Sequence, residues 1–267
     1  MSATNRTEPS DEERRYRELI RLLDQSLESA PGDAQLLLRR ARLYQRLAGH
    51  QWALGKDPSD ADRASIESSE ASVAADPSNE FALQVLGDSL CDLAEQQADH
   101  EEDPTTSCER AIRAYERALA LPSGPSVTAL QNGRCNAFRV LGEWLSDRGL
   151  AGARTALASA VESSKALSGP NLDLRAQYGA ARAQLAMAIW LVRLGEDPGA
   201  SFEHVMRFPA LVRTRILNSA EAAWFSARKN DAVRRWRAGV DSLAEALRAH
   251  PDRPDFSAMA KRLAGMQ

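Results

Sequence analysis

The feature that most constrains this chain is its punctuation. Stretches with helical periodicity stop at Pro31, Pro77, Pro122, around Ser168, around Pro209 and at Pro251, at intervals of 46, 45, 46, 41 and 42 residues. Proline stops a helix because its ring fixes φ and removes the N–H that the preceding turn needs as a donor. A stop that recurs at one interval, with two helical stretches in each, is the mark of stacked helix pairs. Each pair buries an apolar face that its neighbour would otherwise leave open.

Between the stops, apolar residues recur at three- and four-residue steps and nowhere alternate as in a half-buried strand. The first helix is expected from Asp11, with Leu19, Leu22, Leu23 and Leu27 as its apolar stripe, and the second carries Leu36, Leu37, Ala41 and Tyr44. Further helices are expected at 62–75, 79–98, 108–122, 126–147, 151–167, 172–194, 199–206, 210–228, 231–249 and 255–265, with loops at 49–61 and 99–106. Ala, Leu, Arg and Glu dominate and β-branched residues are sparse, a mix with high helix propensity. The expectation is an all-α chain: a disordered N-terminus at 1–10, a regular helical array over 11–195, and divergent helical repeats with a capping helix over 196–267.

Two patterns recur inside the array. One is Leu83-x-x-Leu86-Gly87-x-x-Leu90 and Phe138-x-x-Leu141-Gly142-x-x-Leu145, with weaker copies at Leu37-x-x-Arg40-Ala41-x-x-Tyr44 and Arg182-x-x-Leu185-Ala186-x-x-Ile189. The other is Ala111-x-x-x-Tyr115-x-x-Ala118 followed by Pro122, with Ala153-x-x-x-Leu157-x-x-Ala160, Leu19-x-x-x-Leu23-x-x-Ser26 and Gly239-x-x-x-Leu243-x-x-Ala246 as further copies. These resemble the first and second helices of the tetratricopeptide repeat. The small residues then belong where two helices approach closely, and Leu, Phe and Tyr fill the space around them. The resemblance covers roughly residues 15–195. Its unit here is longer than the family's, which is about 34 residues, and a HEAT-like array is the neighbouring alternative. It implies a right-handed α-solenoid of antiparallel helix pairs.

Charge and cysteine usage narrow the function classes. The net charge is −3, but residues 1–110 carry 12 basic and 23 acidic side chains and residues 201–267 carry 12 and 7. Thirty of the 34 basic residues are Arg, as a GC-rich coding genome produces. Cys91, Cys108 and Cys135 are odd in number and widely spaced, which fits a reducing compartment. The longest apolar run, residues 185–192, is too short to cross a bilayer, and no signal-peptide core precedes it. A cytoplasmic protein is the expectation.

No catalytic constellation stands out, so the chain is read as a non-enzyme without metal or cofactor. His100 with Glu101, Glu102 and Asp103 lies in a loop and reads as a solvated acidic segment, because consecutive residues do not converge on one ion. Cys108 begins a helix, where the dipole lowers a thiol pKa, but no histidine is placed as its base.

Binding is the stronger reading. In the family the first helices line a concave groove, and the matching positions here are Gln35, Arg39, Arg42 and Arg46, then Gln84, Asp88 and Asp92, then Asn136, Arg139 and Glu143. The partner implied is a protein or peptide. The family's carboxylate-clamp positions hold Leu38, Arg42, Val85, Asn136 and Val140, so a clamp of that type is not expected. The alternative is a nucleic acid held by the basic C-terminal half through Arg228, Arg234, Arg235 and Arg237 around Trp236, although Trp236 also reads as a core residue. An acidic front and a basic back also favour head-to-tail self-association.

Overall fold

The computed structural model describes residues 9–122, 127–167, 174–214 and 219–265, with the backbone alone at 174–175, 209–214 and 219–232. Among these it holds eleven α-helices and no strand: α1 (Asp11–Ser29), α2 (Ala34–Ala53), α3 (Ser59–Ala75), α4 (Glu80–Asp99), α5 (Thr105–Leu119), α6 (Val127–Asp147), α7 (Ala153–Lys165), α8 (Leu174–Arg193), α9 (Gly199–Thr214), α10 (Ser219–Arg248) and α11 (Pro254–Ala264). None of them is long and apolar enough to cross a membrane.

One connector recurs four times. Two residues past the ends of α2, α4, α6 and α8 the backbone turns to positive φ, at Gly55 (68°), Glu101 (61°), Gly149 (63°) and Gly195 (71°). The next residues, Lys56, Glu102, Leu150 and Glu196, then donate their N–H to the carbonyls of Gln51, Gln97, Leu145 and Leu191 at 2.7 to 2.9 Å. Such a reversal satisfies carbonyls that the helix end leaves without partners. In three of the four connectors an Asp-Pro pair follows. Asp57, Asp103 and Asp197 accept from the N–H groups of Ser59 (3.0 Å), Thr105 (2.9 Å) and Gly199 (2.8 Å) at the start of the next helix. Ala151-Gly152 replaces the pair in the third. The loops expected at 49–61 and 99–106 therefore shrink to 54–58 and 100–104.

The opposite turns are built on Pro31 and Pro77. Two residues past each proline, Asp33 and Asn79 donate to the carbonyls of Ala30 and Asp76, both at 3.1 Å. Their side chains then cap α2 and α4 by accepting from Leu36 N (3.0 Å) and Ala82 N (3.1 Å). Pro251 starts the same turn after α10, where Arg253 donates to His250 O at 3.1 Å.

Each of α2, α4, α6 and α8 packs on its chain neighbours and on the next even-numbered helix: α2 on α4, α4 on α6, α6 on α8, α8 on α10. Glycines make these approaches close. The Tyr115 ring of α5 lies between Gly87 of α4 and Gly133 of α6. A Cβ at Gly87 would sit 2.8 Å from that ring, and one at Gly133 would sit closer still. A Cβ at Gly142 would fall 2.6 Å from Leu157 of α7. Tyr115, Leu83, Leu90 and Leu130 belong to one core built from α2 to α6, whereas Leu185, Phe202, Leu243 and Phe256 belong to a second that joins α8 to α11.

Several expectations are corrected. Helix α9 runs through Pro209, and α10 is continuous over 219–248 where breaks were expected near 209 and 229. A proline inside a helix costs about 3 kcal/mol. Phe202, Val205 and Phe208 are buried on α9 just before it, and burial of each contributes about 1.5–3 kcal/mol, so packing outweighs the lost bond. Lys229-Asn230-Asp231 does not stop α10 because polar residues without Gly or Pro cost a helix little. On α1, Leu19 (38%) and Leu22 (45%) are exposed while Ile20, Leu27 and Glu13 are buried. Packing on α2 covers only part of its apolar face. Residues 1–8 lie outside the described residues, but Ser10 is placed: it caps α1 and hydrogen-bonds His50 Nε2 at 2.6 Å.

Candidate functional site

The even-numbered helices carry polar residues at three- and four-residue steps along one edge. On α4 these are Gln84, Asp88, Asp92, Glu95 and Asp99; on α6, Asn136, Arg139, Glu143 and Asp147; on α8, Tyr178 and Arg182. Spacing of this kind puts them on one face of each helix, and the packing of α4 on α6 and α6 on α8 brings those faces together.

Arg139 is the centre of this seam and is only 2% exposed. Its Nη1 donates to Glu143 Oε2 at 2.5 Å, its Nε to Asn136 Oδ1 at 2.9 Å, and its Nη2 to both Asn136 Oδ1 and Glu95 Oε1. Asn136 Nδ2 donates in turn to Glu95 Oε1 at 3.1 Å and Cys91 Sγ at 3.4 Å. Arg182 extends the network, 3.5 Å from Glu143 and 3.3 Å from the Tyr178 hydroxyl. Burial pushes the Glu95 carboxyl up, but Arg139, Arg235 and Arg182, with the Asn136 amide, outweigh it and hold the group at about 2. Burial would lower the Arg139 pKa, yet Glu143 and Glu95 raise it above the usual arginine value. A buried guanidinium without these partners would be strongly unfavourable.

Two clefts flank the network and share Glu95. One, of about 380 Å³, is edged by Trp52, Asp62, Asp92 and Gln96. The other, of about 540 Å³, is edged by Asp99, Val140, Trp144, Arg148 and Arg235. Trp144 is covered by Arg148, whose guanidinium lies 3.1 Å from the ring centroid.

The ten groove candidates fall into three groups. Gln35, Arg39, Arg42 and Arg46 are exposed along one edge of α2, and Arg42 lies 5.2 Å over the Phe81 ring of α4, which aligns that edge with the α4 stripe. Gln84, Asp88 and Asp92 are half-buried, and Asp88 accepts the Tyr115 hydroxyl at 2.7 Å. Asn136, Arg139 and Glu143 are brought together, but they bind one another and Glu95. Among the clamp positions, Leu38, Val85 and Val140 are buried.

Sequence reasoning missed Glu95, Asp99, Arg182 and Trp52. Glu95 and Asp99 simply continue the Asp88–Asp92 step along α4, so the spacing held the signal. Arg182 sits inside a degenerate repeat copy, and Trp52 in a segment read as loop.

At the basic end, Arg234 and Arg237 are exposed, Arg235 pairs with Asp99 at 2.7 Å, and the Arg228 side chain lies outside the described residues. Trp236 is half-buried and packs on Phe208 with centroids 4.8 Å apart, the core placement expected for it. All three cysteines are buried, and burial pushes the Cys108 and Cys135 thiols up to about 12, so desolvation overrides the helix start at Cys108. In the 100–104 connector Asp103 caps α5, and among the described residues no group of three His, Cys, Asp or Glu is placed to hold a metal ion. Compared with protein-family models and with curated proteins, the chain matches none.

Proposed function

We propose that this chain is a tetratricopeptide-like α-solenoid that acts as a docking module, without catalysis, for a protein or peptide partner. In this reading α2, α4, α6 and α8 are the first helices of successive antiparallel pairs, α10 continues their line although its 239–246 stretch carries the second-helix pattern, and their shared edge is the concave face. The observation that carries it is the serial packing of each even-numbered helix on the next, with the same positive-φ connector after four of them. The polar edge supports docking of an extended segment, with side-chain pairs giving specificity and apolar spots such as Phe81 and Trp52 giving area.

Within the seam the available contacts divide by burial. Arg39 and Arg42 are exposed and Gln84, Asp88 and Asp92 half-buried, while Arg139 is the internal brace that fixes α4 against α6. The nucleic-acid reading has less behind it, because Trp236 is spent on Phe208 and Arg235 on Asp99.

The test starts from a partner captured in a native pull-down, identified and purified. Arg39→Glu with Arg42→Glu on α2, and Asp92→Arg on α4, are expected to weaken the purified pair at least about tenfold, the factor that 1.4 kcal/mol represents. Arg113→Glu and Arg117→Glu, exposed on α5, are the controls. Equal affinity for both sets of variants defeats the proposal.

A further inference from the structure

The polar seam is crossed by a helix from the other end of the chain. Arg235 of α10 forks onto Asp99, the last residue of α4, with bonds of 2.7 and 3.4 Å. Its guanidinium also lies 5.7 Å from the centroid of the Trp52 ring, near the end of α2. Helices α2 and α4 belong to the core around Tyr115, while α10 packs in the core with α8, α9 and α11. The contact therefore ties together two separately packed bodies of side chains.

The joint differs in kind from what it joins. Inside each core the contacts are buried and apolar, and between α4 and α6 the Arg139 side chain is 3% exposed. In the Arg235–Asp99 pair the side chains are 17% and 42% exposed. A pair that water and salt reach shifts an equilibrium by no more than about fivefold. Stacked helix pairs deform mainly by small changes at each interface, which sum along the array. A weak tie across their two ends is thus the contact that opens first.

We propose that α10 is a strap and Arg235–Asp99 its latch: closed, the latch forms one wall of the cleft edged by Glu95, Val140 and Arg148; released, it lets that cleft widen. The widening is a property of the chain alone. Its use, admitting a partner to the seam, rests on the docking reading above.

The experiment measures a distance with no partner present. Spin labels are placed on Glu102→Cys, beyond the end of α4, and Ala238→Cys on α10, both exposed; the buried native thiols do not compete. Asp99→Asn is expected to raise the long-distance population about fivefold, and 1 M salt, which shortens the screening length to about 3 Å, to do the same to the unmodified pair. Arg235→Glu is expected to widen it further, and Arg235→Glu with Asp99→Arg to restore the short distance. Asp99→Asn removes a negative charge from a helix C-terminus, where the dipole disfavours one, so it keeps the test alive if Arg235→Glu does not fold. A distance distribution unchanged by Asp99→Asn and by salt overturns the latch, and it does so whatever becomes of the docking reading.

Discussion

Helices α3 and α5 follow the same Asp-Pro connector and pack between the same kinds of neighbour, yet their buried faces are written in different chemistry. On α5 the buried residues include Cys108, Ala111, Ile112, Ala114, Tyr115 and Ala118. On α3 they include Asp62, Ser65, Ser68, Ser69 and Ser72. Every one of those serines is satisfied. Ser65 Oγ donates to Ala41 O at 3.0 Å and lies 2.8 Å from Ser89 Oγ, Ser68 and Ser69 donate to carbonyls one turn back, and Ser72 reaches Ala34 O at 2.8 Å. The position demands small volume, and polarity is tolerated once it is paired. Tyr115 is the exception on the other side: a large ring fits there because both helices flanking it supply glycine.

That contrast is open to direct attack. Tyr115→Ala empties the slot between Gly87 and Gly133 and is expected to cost about 3–5 kcal/mol. Ser69→Ala, 46 residues earlier at the matching position of α3, is expected to cost no more than about 1.5 kcal/mol. Urea unfolding of both gives the comparison, and equal losses would remove its basis. Next, Gly87→Ala forces a Cβ against the Tyr115 ring and is expected to cost about 1–3 kcal/mol. In a Tyr115→Ala background that cost disappears, so a double-mutant cycle showing additivity would contradict the slot-and-ring account.

Acid gives a smaller and more gradual effect, which at the front of the chain acts through Glu13. Glu13 is buried against Lys56 and Arg17, both at 2.8 Å, and these hydrogen bonds hold its carboxyl at about 2 instead of 4.5. A depressed carboxyl stabilises the fold above its ordinary pKa, and that contribution is lost as pH falls through the folded value. Amide spectra of α1 are therefore expected to lose dispersion between about pH 4.5 and 2, ahead of those of α5. Lys56→Met is expected to move this loss to higher pH. A flat response from α1 over that window counts against the pairing. The smallest effect is that of Ser65→Ala, about 1 kcal/mol, from the loss of its bonds to Ala41 O and Ser89 Oγ.

Much of the helical content was legible because periodicity and stop signals are local. Seven of the eight helices up to Arg193 lie within a few residues of the expected ranges, since Pro, Gly and capping side chains act on the backbone next to them. The connector repeat at Pro58, Pro104, Gly152 and Pro198 was legible too. Behind Gly199 the local rules failed. Pro209 and Lys229-Asn230-Asp231 look like breaks, but burial of Phe202, Val205 and Phe208 carries α9 through the proline, and a polar triplet without Gly or Pro leaves α10 unbroken.

For the seam, sequence supplied residue types and spacing, and tertiary packing decided their fates. The same heptad-like step makes Arg39 an exposed cation and Arg139 a buried brace, because α2 ends the line of packed helices and α6 lies inside it. Nothing local marks Arg235 as the partner of Asp99, 136 residues away. A sequence fixes which side chains share a helix face, since that follows from 3.6 residues per turn. Which face meets which, and so which charges are desolvated and which remain in water, depends on the summed packing of all the helices between them.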